Sequence, residues 1–257
     1  MKITEHIDAL RREGGLLADA AARTDLAAPV PTCPEWRLRD LVLHTGRVHR
    51  WATAHVRDGL AAPLDDDGQR AAWGPTPSDD ALVDWFRTGH AALVAALAGA
   101  PADLGCWSFL PAPSPLAFWA RRQAHETAVH RFDADAAAGA EGPRVTTALA
   151  LDGIDELLCG FMARGRAELR SEQPRTVLLR AADGPGSWLL TVSREPLTVT
   201  TPAADGVRAD LTVAGPARDL YLLLWNRRPA ERVDLSGDRS LLELWRETAA
   251  VRWSGAS

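Results

Sequence analysis

The chain is short of cysteine, of lysine and of long apolar runs, and each shortage closes off a class of function. Its 257 residues include three cysteines, Cys33, Cys106 and Cys159, far apart and without a C-x-x-C pair. Neither a disulfide framework nor a thiolate zinc knuckle can be built from them. Lys2 is the sole lysine, no Lys/Arg run reaches five residues, and the formal net charge is −5 with a pI near 5.8. A nucleic-acid backbone binder rests on clustered cations, so DNA and RNA are not expected partners. No apolar stretch approaches the roughly 18 residues of a membrane span, and the first eight residues lack the apolar core of a secretory leader. The expectation is a cytoplasmic protein without a membrane partner.

What remains is an ordinary globule, 46% hydrophobic and 25% charged, with seven histidines as the available metal ligands. The first 170 residues carry helical spacing. Residues 3–24 place Ile7, Leu10 and Leu17 on one face and stop at the proline-bearing segment Ala28-Pro29-Val30-Pro31-Thr32-Cys33-Pro34. Residues 36–58, 78–99, 115–138 and 146–169 give four more helices, closed by Gly59, Gly99 and Gly139 in three cases. Beyond Glu172 the period shortens: 176–180, 187–192, 197–200 and 209–213 read as strands separated by turn residues, followed by helices at 217–225 and 240–246. The expected architecture is α plus α+β: an antiparallel helical bundle over 1–170, then a small α+β domain over 174–257, with the boundary near Ser171-Glu172-Gln173-Pro174.

The fourth helix holds the segment that invites chemistry, Arg121-Arg122-Gln123-Ala124-His125-Glu126-Thr127-Ala128-Val129-His130. It is not an H-E-x-x-H zincin motif. His125 and His130 are five apart and point about 140° from each other, whereas Glu126 and His130 stand at i, i+4 on one face. That face also carries Leu116, Phe118 and Trp119, so the carboxylate and the imidazole are expected to be partly buried and in need of a partner, which a divalent metal supplies. The second helix offers the third ligand. His44 shares a stripe with Leu41, Val48 and Trp51, while His49 points away and His55 lies about 16 Å further along the axis. Two histidines and a glutamate from two helices make an open site with a fourth position free. A hydrogen-bonded core histidine and a surface Glu/His pair are the plain structural alternatives. Arg121, Arg122 and Asp133 at the same end are candidate substrate contacts.

At these residues the chain resembles the mycothiol-dependent maleylpyruvate isomerase family, whose amino-terminal part is a DinB-like metal-binding bundle. The resemblance is carried by Val30-Pro31-Thr32-Cys33-Pro34-Glu35-Trp36-Arg37-Leu38-Arg39-Asp40-Leu41-Val42-Leu43-His44 and by residues 122–133. A third segment, Asp210 to Arg227, is similar to the sterol-carrier-like α/β domain that follows the bundle in that family. The resemblance implies metal ligands at His44, Glu126 and His130, the three that spacing also selects, and a catalytic arginine on or near Arg227. It implies a divalent metal of zinc type, which spacing alone does not tell from nickel or iron. It also implies mycothiol as a small-molecule thiol partner, whose sulfur takes the open metal position and adds to an electrophilic substrate. Arg122 or Arg227 would hold a substrate carboxylate. Cis-trans isomerisation is the expected reaction. Stable thioether formation by a mycothiol S-transferase is the alternative, since both need the same activated sulfur. A non-catalytic ligand- or partner-binding protein is the second alternative, although the H-x-x-x-C-x-x-C of zinc anti-sigma factors is absent. A monomer fits a second domain that covers one face of the bundle.

Overall fold

The computed structural model describes residues 1–142, 144–164, 168–204 and 206–249. It has two compact units, Met1–Pro143 and Arg144–Ser257. This division stands earlier than the boundary expected near residues 171–174. The helix expected over 146–169 falls within the second unit.

The first unit is a bundle of four long helices, α1 (Ile3–Ala22), α2 (Leu38–Asp58), α4 (Asp79–Gly99) and α5 (Pro115–Ala137), with a short α3 (Asp66–Trp73) between the second and third of them. Local chemistry sets their ends. Asp65 accepts a hydrogen bond from the Gly68 amide to open α3, and Ser114 accepts from Ala117 ahead of Pro115 at the first helical position of α5. Gly59 closes α2 with φ of 60°, a left-handed conformation that costs glycine little. Leu17, Leu38, Leu41, Leu82 and Phe86 are fully buried and form the apolar centre.

Helix α5 is unusual in being buried nearly all round while carrying Arg122, Gln123, His125, Glu126, Thr127, His130, Arg131, Asp133 and Asp135 among its buried residues. An apolar all-round helix is buried by its hydrophobicity. This one is buried by pairing, because each desolvated polar group needs a partner. Arg131 shows the pattern, with Nε donating to Glu13 Oε2 of α1 at 2.8 Å and Nη1 to Asp135 Oδ2 at 2.5 Å. Such pairing places a row of charged groups in the middle of the bundle.

The second unit opens with α6 (Thr147–Asp155), which runs into a wide helical turn over Glu156–Met162 rather than continuing as one straight helix. A five-stranded sheet follows, β1 (Arg175–Ala181), β2 (Ser187–Val192), β3 (Thr198–Thr200), β4 (Leu211–Gly215) and β5 (Asp234–Gly237), in the order β3-β2-β1-β4-β5. β1 and β4 are parallel and the remaining pairs antiparallel. Helices α7 (Ala217–Leu224) and α8 (Ser240–Thr248) complete the unit, giving a helical bundle followed by an α/β domain as expected. An apolar cavity among Leu179, Leu190, Val213, Leu223 and Trp245 has a volume of about 20 Å³. That is room for about one water molecule and for no lipid.

Candidate metal centre

The three residues selected by spacing converge. His44 Nε2 of α2 lies 3.4 Å from Glu126 Oε1 of α5, and His130 Nε2, one turn along α5, lies 3.3 Å from the same oxygen. One ligand atom from each falls within 4.8 Å of the other two. The imidazoles meet edge to face with centroids 5.2 Å apart. The cluster is largely sealed, and its most accessible side chain is His44 at 13% exposure against 4% for Glu126 and 8% for His130.

A surrounding set of contacts fixes each ligand. His130 Nδ1 lies 2.9 Å from Asp133 Oδ2, so the proton on Nδ1 is held there and Nε2 is left to face Glu126. Asp133 in turn accepts from Thr32 Oγ1 at 2.6 Å, and Cys33 Sγ lies 3.7 Å from its second oxygen. The loop before α2 is thereby fastened to α5. That loop also delivers Trp36, whose ring centroid lies 4.8 Å from His44 and 5.8 Å from His130, so one indole covers both imidazoles. Glu126 Oε2 is 3.4 Å from Arg122 Nη2.

Charge follows geometry. Burial alone would raise the Glu126 carboxyl, but hydrogen bonds from His130 and His44, with the Arg122 charge, hold it well below the usual carboxylate range. Burial would likewise lower His130, yet Asp133 and Glu126 outweigh it and raise the imidazole to about 9. Without a metal the cluster is an imidazolium between two carboxylates. A divalent cation fits the same space, since it satisfies both Nε2 atoms and Glu126 together and replaces the His130 proton as the compensating charge. Two imidazoles and one carboxylate are a donor set that leaves a fourth position open.

The other expected residues fall as follows. Arg122 is brought to the cluster, fully buried, as the partner of Glu126. Arg227 lies in the second unit, after α7. Its amide bonds to Leu222 O at 2.7 Å and its Nη1 donates to Trp225 O at 2.9 Å, next to Asn226 with φ of 57°. His49 turns away to Thr127 Oγ1 at 2.9 Å, and His55 bonds to Trp51 O at 3.0 Å. Trp36 and the orienting role of Asp133 were missed by sequence reasoning. The i, i+3 spacing of His130 and Asp133 was an available signal.

Two family descriptions match the chain: the mycothiol maleylpyruvate isomerase N-terminal domain over residues 7–135, and the corresponding C-terminal domain over residues 148–244. No curated protein matches the sequence. Among solved structures, the fold is similar to that of a mycothiol-dependent maleylpyruvate isomerase, with a TM-score of 0.62 and 13% identity over 92% of this chain and 93% of the other. A histidine-to-alanine variant of a mycothiol-dependent maleylpyruvate isomerase matches with a TM-score of 0.61 and 14% identity over the same shares.

Proposed function

The chain belongs to the mycothiol maleylpyruvate isomerase family, and from that premise we propose that it is a metal-dependent enzyme that uses mycothiol to attack an electrophilic, maleylpyruvate-like substrate. The observation that carries this reading is the convergence of His44 Nε2, Glu126 Oε1 and His130 Nε2, with the far side of His130 tied to Asp133. A divalent ion of zinc type, bound there, supplies the Lewis acidity that lowers a thiol's pKa and yields thiolate at neutral pH.

The chain's own groups do the rest. His44, Glu126 and His130 bind the ion through two neutral nitrogens and one oxygen. Asp133 keeps the His130 proton on Nδ1, and Arg122 holds the second oxygen of Glu126 so that only Oε1 faces the histidines. Trp36 excludes water from the imidazole faces. In the isomerisation, sulfur adds to the activated cis double bond, the resulting single bond rotates, and elimination returns the trans product and the thiol.

Metal analysis of the purified chain should give about one divalent ion per molecule, lost in Glu126→Ala and His130→Ala. Incubation of the metal-loaded chain with mycothiol and maleylpyruvate should then yield fumarylpyruvate. A stable thioether without isomerisation would make it an S-transferase. A native chain that binds no metal would overturn the proposal.

A further inference from the structure

Helix α2 carries more than a ligand on the face that holds His44. Arg47 follows at i+3 and Trp51 at i+7, within about 60° of His44 around the axis and about 4.5 and 10.5 Å along it. Arg47 is half-buried, with its guanidinium carbon 5.0 Å from the centre of the Trp73 ring and Nη2 3.2 Å from Thr76 Oγ1. Both partners hold the group in place and neither neutralises it. Among the described residues no carboxylate pairs with Arg47, whereas Arg122 is already engaged by Glu126.

The aromatic residues lie two turns from the ligands on both helices. Trp119 precedes Glu126 by seven residues on α5, and its ring is 5.0 Å from that of Trp51. The loop ahead of α5 adds Trp107 and Phe109 at 6.1 and 6.3 Å from Trp51. Trp119 is fully buried, but Trp51, Trp107 and Phe109 each keep part of their surface accessible. Over two turns, helix α2 thus carries a ligand of the candidate metal centre, a cation that no carboxylate pairs with among the described residues, and one member of a partly open aromatic cluster.

We propose that Arg47 and the Trp51–Trp107–Phe109 wall form the substrate subsite beside the metal centre, and that the electrophile is a carboxylate with a flat apolar body. The carboxylate pairs with Arg47, which gains a charge-assisted partner without having to be reorganised. The body lies against the aromatic wall, so the reactive carbon is presented towards His44 and Glu126. This rests on the proposed function for the chemistry at the metal, and it assigns which molecules reach it.

The test is binding without thiol or turnover. Calorimetry with the full chain, metal-loaded and metal-free, would compare trans-cinnamate with cinnamamide, which lacks the charge, and with crotonate, which lacks the ring. Cinnamate should bind at least about tenfold tighter than either, the size of one charged hydrogen-bonded contact. Arg47→Gln should abolish the preference over the amide while metal content stays unchanged. Trp51→Ala should abolish the preference over crotonate, and Phe109→Ala, in the half-exposed loop, checks the same wall should the first variant misfold. Equal affinity for acid and amide, or a preference that survives in Arg47→Gln because the carboxylate sits on the metal, would overturn the subsite. A chain that binds metal but shows no preference loses this inference alone. A chain without metal loses the proposed function, and the comparison of ligands is still read.

Discussion

Asp133 is fully buried, and it accepts from His130, Thr32 and the Cys33 thiol together. A histidine ligand whose other nitrogen is held by a carboxylate is fixed in tautomer and in direction, and removing that partner costs about 10–100-fold in metal affinity. Asp133→Asn should therefore weaken metal binding by that factor in a competition titration, with the helical circular dichroism preserved. The spacing of His44, Glu126 and His130 was legible in the sequence because helical geometry alone puts Glu126 and His130 on one face. Asp133 read only as a candidate substrate contact, since an i+3 carboxylate reaches its histidine or solvent according to a rotamer that sequence does not specify. The raised His130 pKa adds a second prediction. Metal has to displace its proton below pH 9, so affinity should rise about tenfold per pH unit through neutrality and level off above about 9. A profile flat from pH 7 upward would show that His130 holds no proton there for the metal to displace.

Among the elements, the long helices and the short amphipathic α7 and α8 were legible, and α3 and β5 were not. Helix α3 buries none of its residues and β5 is a largely exposed edge strand of four residues, so neither prints an apolar period. Residues 146–169 have the same period as the bundle helices, and period does not say which unit a helix joins. Helices α2 and α4 pack through a contact that the period also leaves unmarked. Arg50 stacks on Trp85 at 3.5 Å and donates to Gly46 O and Trp85 O, while Gly46 and Gly89 leave the space for these two side chains. A Cβ at Gly46 would meet the Trp85 ring, and one at Gly89 the Arg50 guanidinium. Gly46→Ala should cost about 1–3 kcal/mol in chemical denaturation, because the ring has packed neighbours. Gly89→Ala should cost less, since it displaces the end of a flexible side chain.

Across the whole molecule the histidines are divided unevenly: all seven lie before residue 131, and the second unit has none. Between pH 5.5 and 9 the imidazole titrations therefore belong to the bundle. Burial, reinforced for His49 by neighbouring His90, holds His49 well below its ordinary value, and burial lowers His90 and His55 as well. The unfolded chain binds protons at these three sites first, so their stabilising contribution is present above about pH 6.5 and is lost as pH falls below it. His130 has the opposite sign in the metal-free chain: its folded value near 9 stabilises below about 6.5 and is lost as pH rises to 9. Each group contributes a slope of up to about 1.4 kcal/mol per pH unit over its window. The metal-free chain should accordingly be most stable near pH 6.5 and weaken on both sides, and metal should remove the alkaline limb by making neutral His130 the bound form. Thermal melts over that range, with and without zinc, check the shape. Hydrogen exchange at pH 5.5 should show α2 and α4 losing protection before β1, β2 and β4. Equal loss in both units would mean that burial of these histidines does not set the acid limit.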